Sequence, residues 1–376
     1  MGIAATRTME RVAASLGMLT EATPHLEVVE DVPAGGVLLA LPALLAIGLL
    51  RHPREHFKLP AGFYGIENIF LIPAFMALAR VRSLEQLRYE MPGEWGKLLG
   101  LDRIPEVRTL RSKLGILCEK PESIAAWGNQ LSGEWMEMDP AAAGTLLIDG
   151  HTRVYHGNLT KLPRHYVSRE RLCLRATTDY WVNALDGAPF FVVTKTVDPG
   201  LIATLREDIV PRLEKAVPNQ PHDIEQRQTT LSECKTQRST TAHKLPIKDL
   251  PTELRLEALS PMRKHFIDII KLIAYRAESA LVHVARETLK RTDDARSFIK
   301  AVFASSVDLR PDTAHATLSV CFHSMANPTH NKTLSHLCQE LTDTATLFPG
   351  TSLRMVFCAP STSADSAPLS AHEIAA

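Results

Sequence analysis

Asp149 is the residue in this chain best suited to do chemistry. It follows the branched apolar run Leu146, Leu147 and Ile148 and precedes Gly150, after which the sequence becomes basic and rich in histidine. A buried strand that delivers a carboxylate beside a cationic surface suits metal-dependent phosphodiester chemistry. The metal needs an anionic oxygen ligand, and the substrate backbone needs positive charge. Asp-Gly is also an ordinary hairpin signal, and on that reading Asp149 is a turn residue.

The cations follow directly. Residues 151–175 carry Arg153, Lys161, Arg164, Arg169, Arg171 and Arg175 against the single acid Glu170, with His151, His156 and His165 besides. Tyr155 and Tyr166 are interleaved. Guanidinium and ammonium groups hold phosphates, and exposed aromatic rings stack on bases, so the composition suits a nucleic-acid backbone. A solvated loop could carry the same charge. A second basic group, Arg108 and Arg111 with Lys113, falls on an expected helix over 106–117. The two arginines are three apart and share a face, which fits DNA contact or a solvated helix surface.

Other constellations are weaker. Cys321 with His323, and His336 with Cys338, match no common zinc spacing. Gly35 and Gly36 precede an apolar run but lack the Lys-Ser/Thr of a nucleotide-binding loop. Tyr275, Arg276 and Glu278 lie together on a long amphipathic stretch, where a polar helix face explains them as well as catalysis does.

The elements that must position these residues read as follows. Up to about Cys118 the chain is a succession of short helices: a buried one through 37–50, another over 66–82 kinked or split by Pro73, and a short one opened by the capping-box pattern Ser83 to Gln86. Pro92 and Gly93 turn into 94–99, and Pro105 starts 106–117, giving a helix-turn-helix-like succession. Strands are expected at 145–148, 172–183 and 190–197, with a hairpin turn at 185–188, then an amphipathic helix over 201–216. A polar helical stretch at 225–238, a linker at 244–257 and a long helix at 262–290 come next. Strands at 316–322 and 352–357 flank a helix over 328–341, and the Ser/Ala-rich tail from 361 reads as disordered.

The chain has 376 residues, 45% of them apolar and 22% charged, which is a soluble globular composition. The formal net charge is zero, so any nucleic-acid contact must come from local patches and not from the whole surface. Six scattered cysteines without a C-x-x-C pair suit free thiols in a reducing compartment. Residues 1–15 are polar and charged, unlike a signal peptide, and the run 37–50 is shorter than the ~20 residues a membrane span needs. A cytoplasmic protein without membrane partners is the expectation.

The run Asp149, Gly150, His151, Thr152, Arg153, Val154, Tyr155, continued through 162–183, resembles bacterial insertion-sequence transposases of the DDE type. The likeness extends to 62–66, 75–80 and 92–110 upstream, and to 264–268, 273–278 and 348–351 downstream. It implies a ribonuclease H-like core, Mg2+ chemistry on the DNA ends of the insertion element, and a site of three carboxylates of which Asp149 is the first. The second Asp should end a strand after the helix at 201–216, and a Glu should lie on a later helix. The sequence passes instead from 218–221 into the stretch beginning near Glu225, with no apolar strand ending in Asp. It therefore reads as internally shortened, with an open sheet edge beside Asp149. Two metal ions ~3.5–4 Å apart need several oxygen ligands, and one aspartate supplies at most two.

The expected fold class is α+β or α/β. A helical, helix-turn-helix-like DNA-binding region occupies 1–135, and a partial ribonuclease H-like mixed sheet occupies 140–218. A long helical arm follows at 222–300, then a small α/β unit at 305–360 and a tail at 361–376. The expected function is that of a transposase-family protein for DNA transposition or recombination that is catalytically incomplete. Asp149 is its catalytic and metal-ligating residue, and Arg153, Lys161, Arg164, Arg169, Arg171, Arg108 and Arg111 hold DNA. The alternative is a non-catalytic DNA-binding or interaction module that interferes with an intact transposase through 225–290. Self-association as a homo-oligomer is left open.

Overall fold

The computed structural model describes residues 7–25, 29–155, 161–167, 170–196, 199–216, 223–226, 252–303, 307–312, 317–322, 332–337, 346–348 and 351–357. Arg169, His156, the polar stretch at 227–250 and the tail from 361 lie outside the described residues.

The N-terminal part is helical. Helix α1 spans Thr8–Ser15 and strand β1 spans Val29–Val32. The apolar run expected as one helix is a 3-10 segment, Gly35–Ala40, buried throughout, followed by α2, Leu41–Ile47, buried over its first four residues. Pro42 in the first turn of α2 lacks an N–H to donate, which suits a helix start. Helix α3 is Pro53–His56, and α4, Ile66–Leu78, runs unbroken through Pro73. Ser83 and Gln86 form the expected capping box on a 3-10 turn, Leu84–Arg88, where Gln86 Oε1 accepts from the Ser83 amide at 3.3 Å. Helices α5 (Pro92–Lys97), α6 (Val107–Leu117), α7 (Pro121–Met138) and α8 (Pro140–Gly144) follow.

The sheet begins with β2, Thr145–Val154, then β3 (Arg164–Val167), β4 (Leu172–Ala184) and β5 (Pro189–Lys195). Helix α9 (Leu201–Thr204) continues through a π-type turn, Leu205–Ile209, into α10 (Val210–Ala216), and a short strand β6 spans Asp223–Gln226. Strand β4 is long enough to carry β3 and β5 on one edge and β2 on the other. Strand β6 then lies parallel to β2, pairing Thr145 with Asp223 through Ile148 with Gln226. The edge of β2 that the sequence leaves open is therefore covered over these four residues.

Helix α11 is Thr252–Leu289 and α12 is Thr292–Phe303. Within the segment expected as an arm, residues 266–303 of α11 and α12 pack into the same core as the N-terminal helices. Phe266 of α11 meets Phe57, Phe70 and Trp127 with ring centroids 5.1–5.7 Å apart. Phe266, Ile270, Ile273, Ala277 and Leu281, spaced by three and four, form its buried stripe. A second sheet has the order β1-β7-β8-β10-β9, with β7 at Val307–Asp312, β8 at Thr317–Phe322, β9 at Thr346–Phe348 and β10 at Thr351–Phe357. Strands β8 and β10 are parallel, and the N-terminal β1 pairs antiparallel with β7 at one edge. Among the described residues no helix is long and apolar enough to cross a membrane.

Candidate functional site

Strand β2 does not stop at Asp149. It pairs with β4 without interruption from Leu146 opposite Ala184 to Val154 opposite Ala176, so Asp149 lies mid-strand and Asp149-Gly150 is not a hairpin turn. Gly150 sits opposite Tyr180, and a Cβ there would come within 3.1 Å of the tyrosine ring. Glycine thus suits a close cross-strand approach here and does not mark a reversal.

Alternation along the strands sorts the side chains onto two faces. Leu146, Ile148, Tyr180 and Val182 share one face and are buried. Asp149, His151 and Arg153, opposite Trp181, Asp179 and Thr177, share the other. Helix α11 lies across this second face and meets it first through charge. Asp179 is fully buried and accepts from Lys264 Nζ at 2.9 and 3.0 Å and pairs with Arg153 Nη2 at 3.1 Å. Arg153 Nη1 also donates to Asp268 Oδ1 at 3.2 Å, and Lys271 stands 3.8 Å from the same oxygen. Burial pushes the Asp268 carboxyl up against the pull of Arg153, and draws the Lys264 ammonium down against the pull of Asp179. His265, next along α11, is pulled down to about 4 by burial and by repulsion from Arg212, so it is neutral at pH 7.

Two turns beyond Asp268 along α11, Tyr275 approaches Trp181 with ring centroids 6.4 Å apart. Together with Asp149, Asn183, Gly187, Pro189 and Ser279 these rings line a concavity of about 270 Å³. Asp149 is exposed there. Among the described residues its neighbours in the concavity are aromatic, amide and hydroxyl groups, and it is the lone carboxylate there. Glu278 of α11 pairs with Arg80, at the end of α4. Asp186 caps the hairpin turn by accepting from the Ala188 amide at 2.8 Å, and Asp208 pairs with Lys195 at 2.7 Å. Among the described residues no three His, Cys, Asp or Glu side chains converge as metal ligands. The one carboxylate that the described residues bring there, amid neutral donors, does not by itself fit the two-Mg2+ arrangement that the resemblance implies.

The cationic residues separate into distinct settings. Arg153 is committed to Asp179 and Asp268, so its charge holds α11 to the sheet. Lys161, Arg164 and Arg171 are exposed. The stretch that carries them folds as a ribbon, in which β3 pairs with β4 through Arg164 opposite Arg175, His165 opposite Leu174 and Tyr166 opposite Cys173. Arg164, Arg175 and Tyr166 lie on the face that also bears Asp149. His165 bonds the Thr196 carbonyl at 2.9 Å, and His151 is exposed. On α6, Arg108 is exposed, while Arg111 pairs with Glu85.

Sequence reasoning missed the Asp179, Lys264 and Asp268 cluster. Its signal was present: an Asp inside the β-prone run 176–184, and a Lys and an Asp four apart on a helix whose neighbours are core residues. Acidic and basic groups embedded in apolar patterns have to meet each other.

Compared with known proteins, the chain matches one family, described as transposase protein, over residues 2–231 and 223–361. No curated protein and no solved structure matches it.

Proposed function

We propose, from the premise that the chain belongs to this family of transposase proteins, that it binds the DNA of an insertion element and is catalytically incomplete. Its core would be ribonuclease H-like and of the DDE type. Three antiparallel strands, a helix and a parallel strand beside the first agree with such a core, as does Asp149 on the strand between β4 and β6. The observation that carries the proposal is the company of Asp149. Among the described residues it is exposed in a concavity lined otherwise by neutral side chains, on a sheet face that continues into exposed arginines.

Incompleteness has a local reason. The described part of β6 pairs with β2 as far as Ile148 opposite Gln226, and the sequence that follows Gln226 continues Arg, Gln, Thr, Thr, without an acid. The family match also divides at 223–231, where an internal loss would lie. Mg2+ held by Asp149 alone would be too weakly ligated to organise in-line attack on phosphorus. The protein would then occupy element ends through Lys161, Arg164 and Arg171 without cutting them. Arg108 on α6 would add a separate contact.

Salt-titrated binding to duplex DNA tests this. Affinity should fall steeply as salt rises, because cations on the protein displace counterions from the backbone. Asp149→Asn should bind at least as well as the wild type, since it removes a negative charge from the DNA-facing surface. Salt-insensitive association, or none, would overturn the proposal.

A further inference from the structure

The β3–β4 ribbon is arranged in a way that folding alone does not favour. Arg164 and Arg175 are direct cross-strand partners, both exposed, and among the described residues no carboxylate pairs with either. Like charges directly opposite on one sheet face repel. At the ribbon's tip Arg171 has a φ of 53°, in the left-handed region where a glycine would be at ease and an L side chain is strained. Both features concentrate positive charge on an exposed edge of the face that bears Asp149. An anion removes the first difficulty, and function explains retention of the second.

We infer that this ribbon is a phosphate fork for duplex DNA: Arg164 and Arg175 straddle one backbone, and Arg171 grips a third phosphate at the tip. This rests on the DNA-binding reading above. Its occupant is set by charge complementarity. Two guanidinium groups held side by side match successive phosphates of one strand, and Tyr166 on the same face offers a ring beside them. The fork also has a definite place on the sheet. The Tyr155 amide donates to the Arg175 carbonyl at 2.8 Å, so Tyr155 is the β2 residue level with the fork, six residues from Asp149. At ~3.3 Å per residue that is roughly 20 Å, or about six base pairs of duplex. DNA gripped here therefore reaches the Asp149 concavity about half a helical turn away.

The test compares binding of the full chain to a random-sequence duplex of about 30 base pairs, as a function of salt, with thermal unfolding. The variants are Arg164→Gln with Arg175→Gln, Arg171→Gly, and Arg286→Gln as a charge control on α11. Each phosphate that the protein no longer neutralises should reduce the log–log salt slope by about 0.9, or about five-fold in affinity at ~0.15 M relative to ~1 M salt. The double variant should drop by about 1.8 in slope and about thirty-fold in affinity. Its Tm should be unchanged or raised by about one or two degrees, because a repulsion has gone. Arg171→Gly should lower the slope by about 0.9 without a fall in Tm, and Arg286→Gln should leave the slope alone. A wild-type slope in the double variant while the wild type binds DNA would overturn the fork and leave the DNA-binding reading standing. A Tm lowered by several degrees with the slope intact would make the pair structural and overturn it equally. Absence of salt-dependent binding by the wild type would remove the DNA-binding reading and the fork together.

Discussion

Replacing Lys264 by Met tests how α11 is fixed to the sheet. Asp179 has no exposed surface, and two cations hold it: Lys264 on both oxygens at 2.9 and 3.0 Å, and Arg153 on one at 3.1 Å. Removing one partner of a buried pair costs roughly 3–5 kcal/mol when the remaining charge is left alone. Here it is not left alone, because Arg153 stays, and the side chains of Lys264 and Arg153 are 23% and 34% exposed, so water reaches the cluster. Lys264→Met keeps the apolar stem in place, and the expected destabilisation is about 2–3 kcal/mol. Equilibrium urea denaturation followed by tryptophan fluorescence would measure it as a shift in midpoint at constant slope. Asp179→Asn should also be destabilising, but the double variant should cost less than the sum by at least about 1 kcal/mol, since each change removes the other's unpaired charge. Additive costs, or a single-variant effect below about 0.5 kcal/mol, would mean that the cluster does not hold the helix and that apolar packing alone does.

The titration of His265 gives a second expectation. Its folded pKa of about 4 lies below the ordinary 6.5, so the unfolded chain takes up a proton that the fold refuses, and stability should fall as pH drops from 6.5 to 4. The contribution is at most about 3 kcal/mol, and His265→Gln should flatten that part of the pH–stability profile; parallel profiles would contradict it. The Cys118 thiol is pushed up to about 12 by burial, so at pH 8 iodoacetamide should modify the exposed Cys173 and spare Cys118, as peptide mass mapping would reveal. Gly36 packs against the backbone of α12 at Val302, and Gly36→Ala should cost about 3 kcal/mol or prevent folding, whereas Ala at Gly133, where space is open, should be tolerated in the same thermal assay. Glu278→Gln breaks only a partly exposed pair with Arg80 and should change stability by less than about 1 kcal/mol and DNA affinity not at all, in contrast to a catalytic role for that carboxylate.

Legibility of the fold tracks how local its causes are. The capping box at Ser83, the hairpin at 185–188 and the buried stripe of α11 follow from residues a few positions apart, and each is where the pattern puts it. The continuation of β2 past Gly150 is a matter of pairing with β4, where Gly150 faces Tyr180, a partner 30 residues away in the sequence that leaves no mark near Asp149. Strand β3 is short and basic, so charge hid it and its pairing to β4 made it. Strand β6, described over four residues, pairs with β2, a partner nearly 80 residues away that its own polar sequence does not announce. For the site, residue types were readable but partners were not. Arg153 belongs to a run of cations in the sequence, yet it is spent on Asp179 and Asp268, 26 and 115 residues away. Lys161, Arg164 and Arg171, in the same run, keep their exposure.

The most direct measurement is cleavage of insertion-element end DNA by the full chain with Mg2+ or Mn2+, compared with Asp149→Ala. A protein that holds DNA beside a solitary carboxylate should bind the ends and release no nicked or joined product above the level of the Asp149→Ala variant. Robust metal-dependent cutting that disappears in Asp149→Ala would mean that further ligands complete the site, and that catalytic incompleteness is wrong.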